Sequence, residues 1–365
     1  MAKIFKDFTY LDRKLSELDG HYVSVDFEQN PDSAFAFSRD ISYGDTNHYR
    51  TEPNVSWSHL GDRLTFELHI VKDPDYYSSQ ADAILTNGDI RELTRWLTST
   101  ITSQYLILEY EEQAPYDTPC YYGQFSDIRP FNINGDVYGL RLIFECSSPY
   151  GYTEELVDTM ILKGNTHEYI LNSQDDRLED YCYPSIRIES NVTGQIFLCN
   201  LSDCQIYQQG TLDLDSTSDD ARTLLQNLIS DYGLTHGYAP EYTYEGNGSI
   251  LTVCDGTAIP FSYTDSSDNR FKCMAFYSTS NGSYAIIQGG FLYLTVKKSL
   301  PVRINAEKLF LFDDLDRMIR LSELGIEDVD YMYWPRLRSG DNRLLLWGTD
   351  CTITITHRET RKAGA

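Results

Sequence analysis

Along much of this chain apolar residues fall at every second position, the period of a strand with one face buried. Leu64, Phe66, Leu68 and Ile70 alternate with polar neighbours and point inward, predicting a strand over 64–71. Tyr138, Leu140, Leu142, Phe144 and Cys146 repeat the pattern, and Pro149 stops that strand. His21–Phe27 alternates as well, with Tyr22, Ser24 and Asp26 on one face and Val23, Val25 and Phe27 on the other. Tyr105–Tyr110 and Tyr121–Phe125 predict further strands, and Asn134-Gly135 is a strong two-residue hairpin turn. The best helix lies between them. Ile90, Leu93, Leu97 and Ile101 recur every three to four residues, with Trp96 beside the stripe and Asn87-Gly88-Asp89 supplying cap chemistry.

These elements predict a first domain over 1–152, mostly antiparallel β with one helix on a face. Asn30–Trp57 reads as a long connection or an extended arm. Residues 153–183 read as a linker region, within which Leu156-Val157, Met160–Leu162 and Tyr169–Leu171 are candidate strands. Pro184 opens a second, all-β domain over 184–365, with Thr193-Gly194 as an early turn. An insertion is expected over 208–300. It holds an acidic turn at Asp213–Asp220, a short helix with Ala221, Leu224, Leu225 and Leu228 in one stripe, hairpins at Asn247-Gly248 and Asn281-Gly282, and a strand at Gly290–Val296. The fold class is therefore mainly β.

Composition agrees and narrows the function. The 365 residues, 41% hydrophobic, suffice for two cores, and 28 tyrosines favour strands. A net charge of −25 disfavours specific binding to nucleic acid or to anionic membranes. No signal peptide and no membrane-spanning run is expected. The eight cysteines form no Cys-x-x-Cys pair, so reduced, packed thiols are expected, although Cys199 and Cys204 are near enough to face each other across a turn.

Catalytic constellations are weak, and none is assigned. Asp213, Asp215, Thr217 and Asp219 alternate like calcium ligands, but Ser218 stands where such a loop needs glycine and Leu224 where it needs glutamate. No metal or other cofactor is therefore expected, and a helix cap is the better reading. Carboxylate pairs for glycoside hydrolysis can be drawn from Glu109, Glu111 and Glu112, or from Asp313, Asp314 and Asp316, yet such clusters are ordinary in an acidic chain. The histidines lack metal-ligand spacing, no serine sits in Gly-x-Ser-x-Gly, and no glycine-rich phosphate loop occurs.

The order of elements from Asp89 to Tyr152, a helix, a strand, and a second strand ending in Phe144-Glu145-Cys146-Ser147-Ser148-Pro149-Tyr150-Gly151-Tyr152, resembles the N-terminal belt domain of siphophage distal tail proteins. Tyr183-Pro184-Ser185-Ile186-Arg187-Ile188, the phrase Trp334–Asn342 and Thr352–Thr356 resemble the C-terminal, galectin-like β-sandwich of the same family. The resemblance covers about two thirds of the chain and leaves the inserted segment unexplained. It implies a virion protein made in the host cytoplasm. It further implies a homo-hexameric ring joining the tail tube protein to a tail-associated hub or lysin protein and to receptor-binding or baseplate proteins. DNA would pass the lumen without specific binding.

Within the insertion, Tyr238, Tyr242, Tyr244, Tyr263, Tyr277 and Tyr284 lie among Asn, Gly, Ser and Asp. Such surfaces stack on sugars and make adaptable protein contacts, so these tyrosines are candidates for binding a host glycan or a baseplate neighbour; ordinary hairpin packing is the alternative. The rival function is a stand-alone carbohydrate-binding β-sandwich, and a glycan-degrading enzyme comes third.

Overall fold

Alternation becomes strands wherever a second strand can take the hydrogen bonds. The computed structural model describes residues 5–25, 39–43, 55–60, 63–110, 120–164, 166–177, 180–211, 257–264, 270–277, 283–288, 290–326 and 332–362. The chain divides into two compact units, one of Met1–Glu154 with Glu359–Ala365 and one of Glu155–Arg358.

The first unit contains β1 (Phe5–Tyr10), β2 (Arg13–Lys14), β3 (Tyr22–Val25), β4 (Arg39–Tyr43), β5 (Val55–Leu60), β6 (Thr65–Lys72), α1 (Asn87–Leu97), β7 (Gln104–Tyr110), β8 (Cys120–Ile133), β9 (Asp136–Cys146) and β10 (Tyr150–Tyr152). Its main sheet runs β2-β1-β7-β8-β9-β6-β3, every pair antiparallel. Strand β4 falls inside the stretch read as a connection or arm and pairs with β5, which begins in that stretch and runs past its end. Leu64, Phe66, Leu68 and Ile70 are buried, as their alternation predicts. In β3 the buried side chains are Tyr22 and Ser24, while Val23 and Val25 are only half-buried.

Helix α1 lies on the buried face. Thr86 is its cap, accepting from the Asp89 N–H, and the Asp89 carboxylate accepts from the Thr86 N–H in return. Leu93, Trp96 and Leu97 are buried. The Trp96 ring stacks on Phe8 at 5.9 Å, and its Nε1 donates to the Tyr10 carbonyl at 3.0 Å. The helix stops at Leu97, where Thr98 Oγ1 and Ser99 Oγ turn back to the carbonyls of Thr94 and Trp96. Ile101 is therefore not the last member of the helical stripe. It stands beyond the helix, 96% exposed.

The second unit contains β11 (Leu156–Leu162), β12 (Thr166–Ser173), β13 (Ser185–Glu189), β14 (Gly194–Asn200), β15 (Gln205–Thr211), β16 (Thr257–Thr264), β17 (Arg270–Tyr277), β18 (Ser283–Gln288), β19 (Phe291–Val296), β20 (Val302–Asn305), β21 (Phe310–Phe312), β22 (Gly340–Gly348) and β23 (Cys351–His357). A five-stranded sheet, β11-β23-β13-β20-β21, faces a four-stranded sheet, β12-β22-β14-β19, across the main core. Residues 153–183, read from the sequence as a linker region, thus contain β11 and β12. Strand β19, inside the expected insertion, pairs with β14 in the sandwich.

A third sheet, β15-β18-β17-β16, covers the outer face of the four-stranded one. Met274, Phe276, Ala285 and Ile287 pack there against Phe197, Cys199, Phe291 and Leu345. The middle sheet is buried on both faces, which is why Ile196–Cys199 and Leu344–Leu346 read as unbroken apolar runs. The last strand, β24 (Thr360–Lys362), returns to the first unit and pairs with β10, from Tyr150↔Lys362 to Tyr152↔Thr360.

Candidate assembly surfaces

The longest hairpin among the described residues of the first unit exposes apolar side chains near its turn. Strands β8 and β9 meet at Asn134-Gly135, where φ is +53° at Asn134 and +95° at Gly135, as the tight hairpin turn requires. Strand β7 leaves β8 at Gly123, and β6 leaves β9 at Gly139. Beyond those points the hairpin has no further strand beside it among the described residues. Its distal part carries Phe131 and Ile133, 38% and 53% exposed. The sequence signal was the apolar pair beside an Asn-Gly turn, and the periodicity gave no hint that these positions lie beyond the sheet. Gly123 is forced by close approach: a Cβ there would stand 2.1 Å from the Glu145 carbonyl oxygen.

Of the carboxylates considered as catalytic pairs, Glu109, Asp313, Asp314 and Asp316 each meet a cation. Glu109 accepts from Thr9 Oγ1 at 3.2 Å and pairs with Lys14. Asp313 accepts from the Leu315 and Arg317 amides, both at 2.9 Å, and from Arg317 Nε at 2.7 Å. Asp314 takes Arg187 Nη2 at 2.7 Å, and Asp316 pairs with Arg303. The bonds from Arg317 hold Asp313 below the usual carboxylate range, and Arg187 does the same for Asp314. An ionised carboxylate pinned by a guanidinium makes a poor general acid. Glu111, Glu112 and the Asp213–Asp219 loop lie outside the described residues. Among the described residues no cluster of His, Cys, Asp or Glu could hold a metal ion.

The phrase Trp334–Asn342 forms a polar knot in the second unit. Asp203 accepts from Arg336 Nε at 2.6 Å, Arg338 Nη2 at 3.1 Å and the Tyr333 hydroxyl at 2.7 Å. The Arg336 guanidinium lies 3.9 Å above the Tyr181 ring. Buried Asn342 accepts from Asn200 Nδ2 at 2.9 Å and the Arg338 amide at 2.8 Å. This geometry orders a loop.

Of the candidate tyrosines, Tyr238, Tyr242 and Tyr244 lie outside the described residues. Tyr263, Tyr277 and Tyr284 fall on β16, β17 and β18, where Tyr277 and Tyr284 are cross-strand partners and Tyr263 pairs with Phe271. Cys199 is packed among the aromatic residues between the middle and third sheets, and Cys204 donates its thiol to the Leu201 carbonyl. No described helix is long and apolar enough to cross a membrane.

Residues 3–148 match a family model described as the phage tail protein N-terminal domain. The crystal structure of the SPP1 Dit protein, described as a paradigm of the hub adsorption apparatus in phages that infect Gram-positive bacteria, is similar to this chain. The TM-score is 0.46 and the identity 11%, over 98% of this chain and 99% of that one. No curated protein matches the chain.

Proposed function

We propose that this chain, whose residues 3–148 match the phage tail protein N-terminal domain, is a phage tail structural protein and the distal tail hub of its virion. In this reading copies close into a hexameric ring through the first unit. The ring joins the tail tube protein to a tail-associated hub or lysin protein and to receptor-binding or baseplate proteins. Its work is binding, without catalysis. The family match over residues 3–148 is the observation that carries the proposal.

Two physical features support it. A ring needs a head-to-tail interface, in which one patch of each copy meets a different patch of the next. The β8–β9 hairpin, with Phe131 and Ile133 exposed beyond its sheet, suits one side of such a contact. A net charge of −25 suits a lumen wall that DNA passes without adhering. A ring structure with a basic lumen would contradict that part. Tyr263, Tyr277 and Tyr284, with Tyr238, Tyr242 and Tyr244, remain the proposed contacts to a host glycan or a baseplate neighbour.

The test is mass in solution by light scattering after size exclusion, with negative-stain images of the same peak. Closed rings of the wild type, lost in Phe131→Asp/Ile133→Asp with an unchanged melting temperature, are the expected result. A chain that stays monomeric alone and in the presence of its tail tube protein, yet binds sugar, would replace the hub with the stand-alone lectin.

A further inference from the structure

The five-stranded sheet ends in β11, which has no strand on its outer side among the described residues. An edge of this kind offers unpaired amides and carbonyls to any extended chain. The residues here raise the hazard. Leu156-Val157-Asp158-Thr159-Met160-Ile161-Leu162 is a seven-residue, β-prone run with one charge and no proline or lysine. Val157 is 59% exposed and Ile161 48%. No bulge twists the strand away, because its register with β23 runs unbroken from Leu156↔His357 to Leu162↔Cys351.

One side chain reaches this edge from the facing sheet. Tyr169 stands on β12, its ring against the main core and 4.6 Å from the His167 ring. The Ile161 N–H donates to its hydroxyl oxygen at 2.9 Å, and the hydroxyl lies 3.3 Å from the Ile161 carbonyl oxygen, to which it donates. A tyrosine hydroxyl is both donor and acceptor. A single group therefore fills both valences that an added strand would use at Ile161. Asp158 adds a second obstacle. It shares the face of Leu156 and Met160, its side chain 49% exposed and 3.9 Å from Nδ1 of buried His357, and a charge on an edge strand discourages strand addition.

We infer that Tyr169 guards the β11 edge, occupying the hydrogen-bonding position of Ile161 so that a second copy of this chain cannot add its own β11 there. The excluded occupant is another copy because every copy carries the same run, and two such edges pair antiparallel with two-fold symmetry. The guard confines contacts between copies to other surfaces.

Tyr169→Phe tests this, since it removes the hydroxyl and keeps the ring. Light scattering over a concentration series should show a weight-average mass rising above that of the wild type, at equal melting temperature. Hydrogen exchange at the Ile161 amide should speed roughly tenfold for the loss of one bond. Adding Val157→Lys should restore the wild-type mass and leave the Ile161 amide fast, because the lysine blocks the edge without replacing the bond. Tyr169→Phe with wild-type mass throughout the series would overturn the inference. So would an unprotected Ile161 amide in the wild type, a result that needs no variant to fold.

Discussion

The Asp203 carboxylate meets the Arg336 guanidinium at 2.6 Å with its own side chain only 1% exposed. Burial, and then the charge of Asp203, raise the pKa of neighbouring Tyr333, so its hydroxyl stays a donor. The Arg336 and Arg338 side chains reach solvent, so water can take over their charges when Asp203 is removed. Asp203→Ala is expected to destabilise the second unit by about 1–2 kcal/mol through the lost hydrogen bonds, and Asp203→Asn, which keeps an acceptor, by less. Urea unfolding of the full chain measures both, and equal midpoints for wild type and Asp203→Ala would refute the prediction.

Phe276 ties the third sheet to the middle one. It is fully buried, 5.1 Å from the Phe197 ring and 6.2 Å from Trp347. Phe276→Ala is expected to cost about 3–5 kcal/mol through lost burial and a residual cavity. It should also increase dye binding to exposed apolar surface. A variant as stable as wild type would show that the third sheet contributes little to the second unit.

Acid should weaken both units. Burial pushes the Asp89 pKa up, but the Thr86 amide and hydroxyl and Lys72 outweigh it, so the folded value lies below the ordinary one. The Asp313 and Asp314 pKa values are lowered as well. A depressed carboxylate contributes stability that is present above its unfolded pKa, about 4, and is lost as pH falls through the folded value. Urea midpoints should hold steady from about pH 7 to 5 and fall below about pH 4, and Asp89→Asn should flatten that fall in the first unit. A midpoint unchanged down to about pH 3 would contradict this.

The buried thiols should be inert. Burial pushes Cys146 and Cys273 up to about 12, and burial with the Asp350 charge pushes Cys351 up to about 11. The reactive form is the thiolate, so alkylation of these three at about pH 8 should be far slower than in urea. Mass spectrometry of the labelled peptides reads the rate at each site. Labelling in the native protein as fast as in the unfolded chain would disprove it.

Local signals carried the first unit far. The period of two over 64–70 placed Leu64, Phe66, Leu68 and Ile70 inside, and Asn134-Gly135 placed the hairpin turn. Ile101 misled because a stripe of apolar positions does not say where a helix stops. Here the hydroxyls of Thr98 and Ser99 competed for the carbonyls of the last turn. The engagement of Asp314 was not legible for another reason: the Arg187 guanidinium that pins it is 127 residues away along the chain.

What the sequence determined by itself was periodicity: where the strongly alternating strands lie, where the main helix begins, and which side of most of those strands is apolar. Those properties depend on neighbours two to four positions away. Strand partners, by contrast, were decided by tertiary structure. Only the assembled fold gave β19 to the sandwich, laid the third sheet over the middle one, returned β24 to the first unit, and brought the Tyr169 hydroxyl to the backbone of Ile161. Each is a pairing between distant segments, and many such pairings satisfy the same alternation of apolar and polar residues. The choice among them rests on which arrangement buries every apolar face and leaves no buried backbone group without a partner.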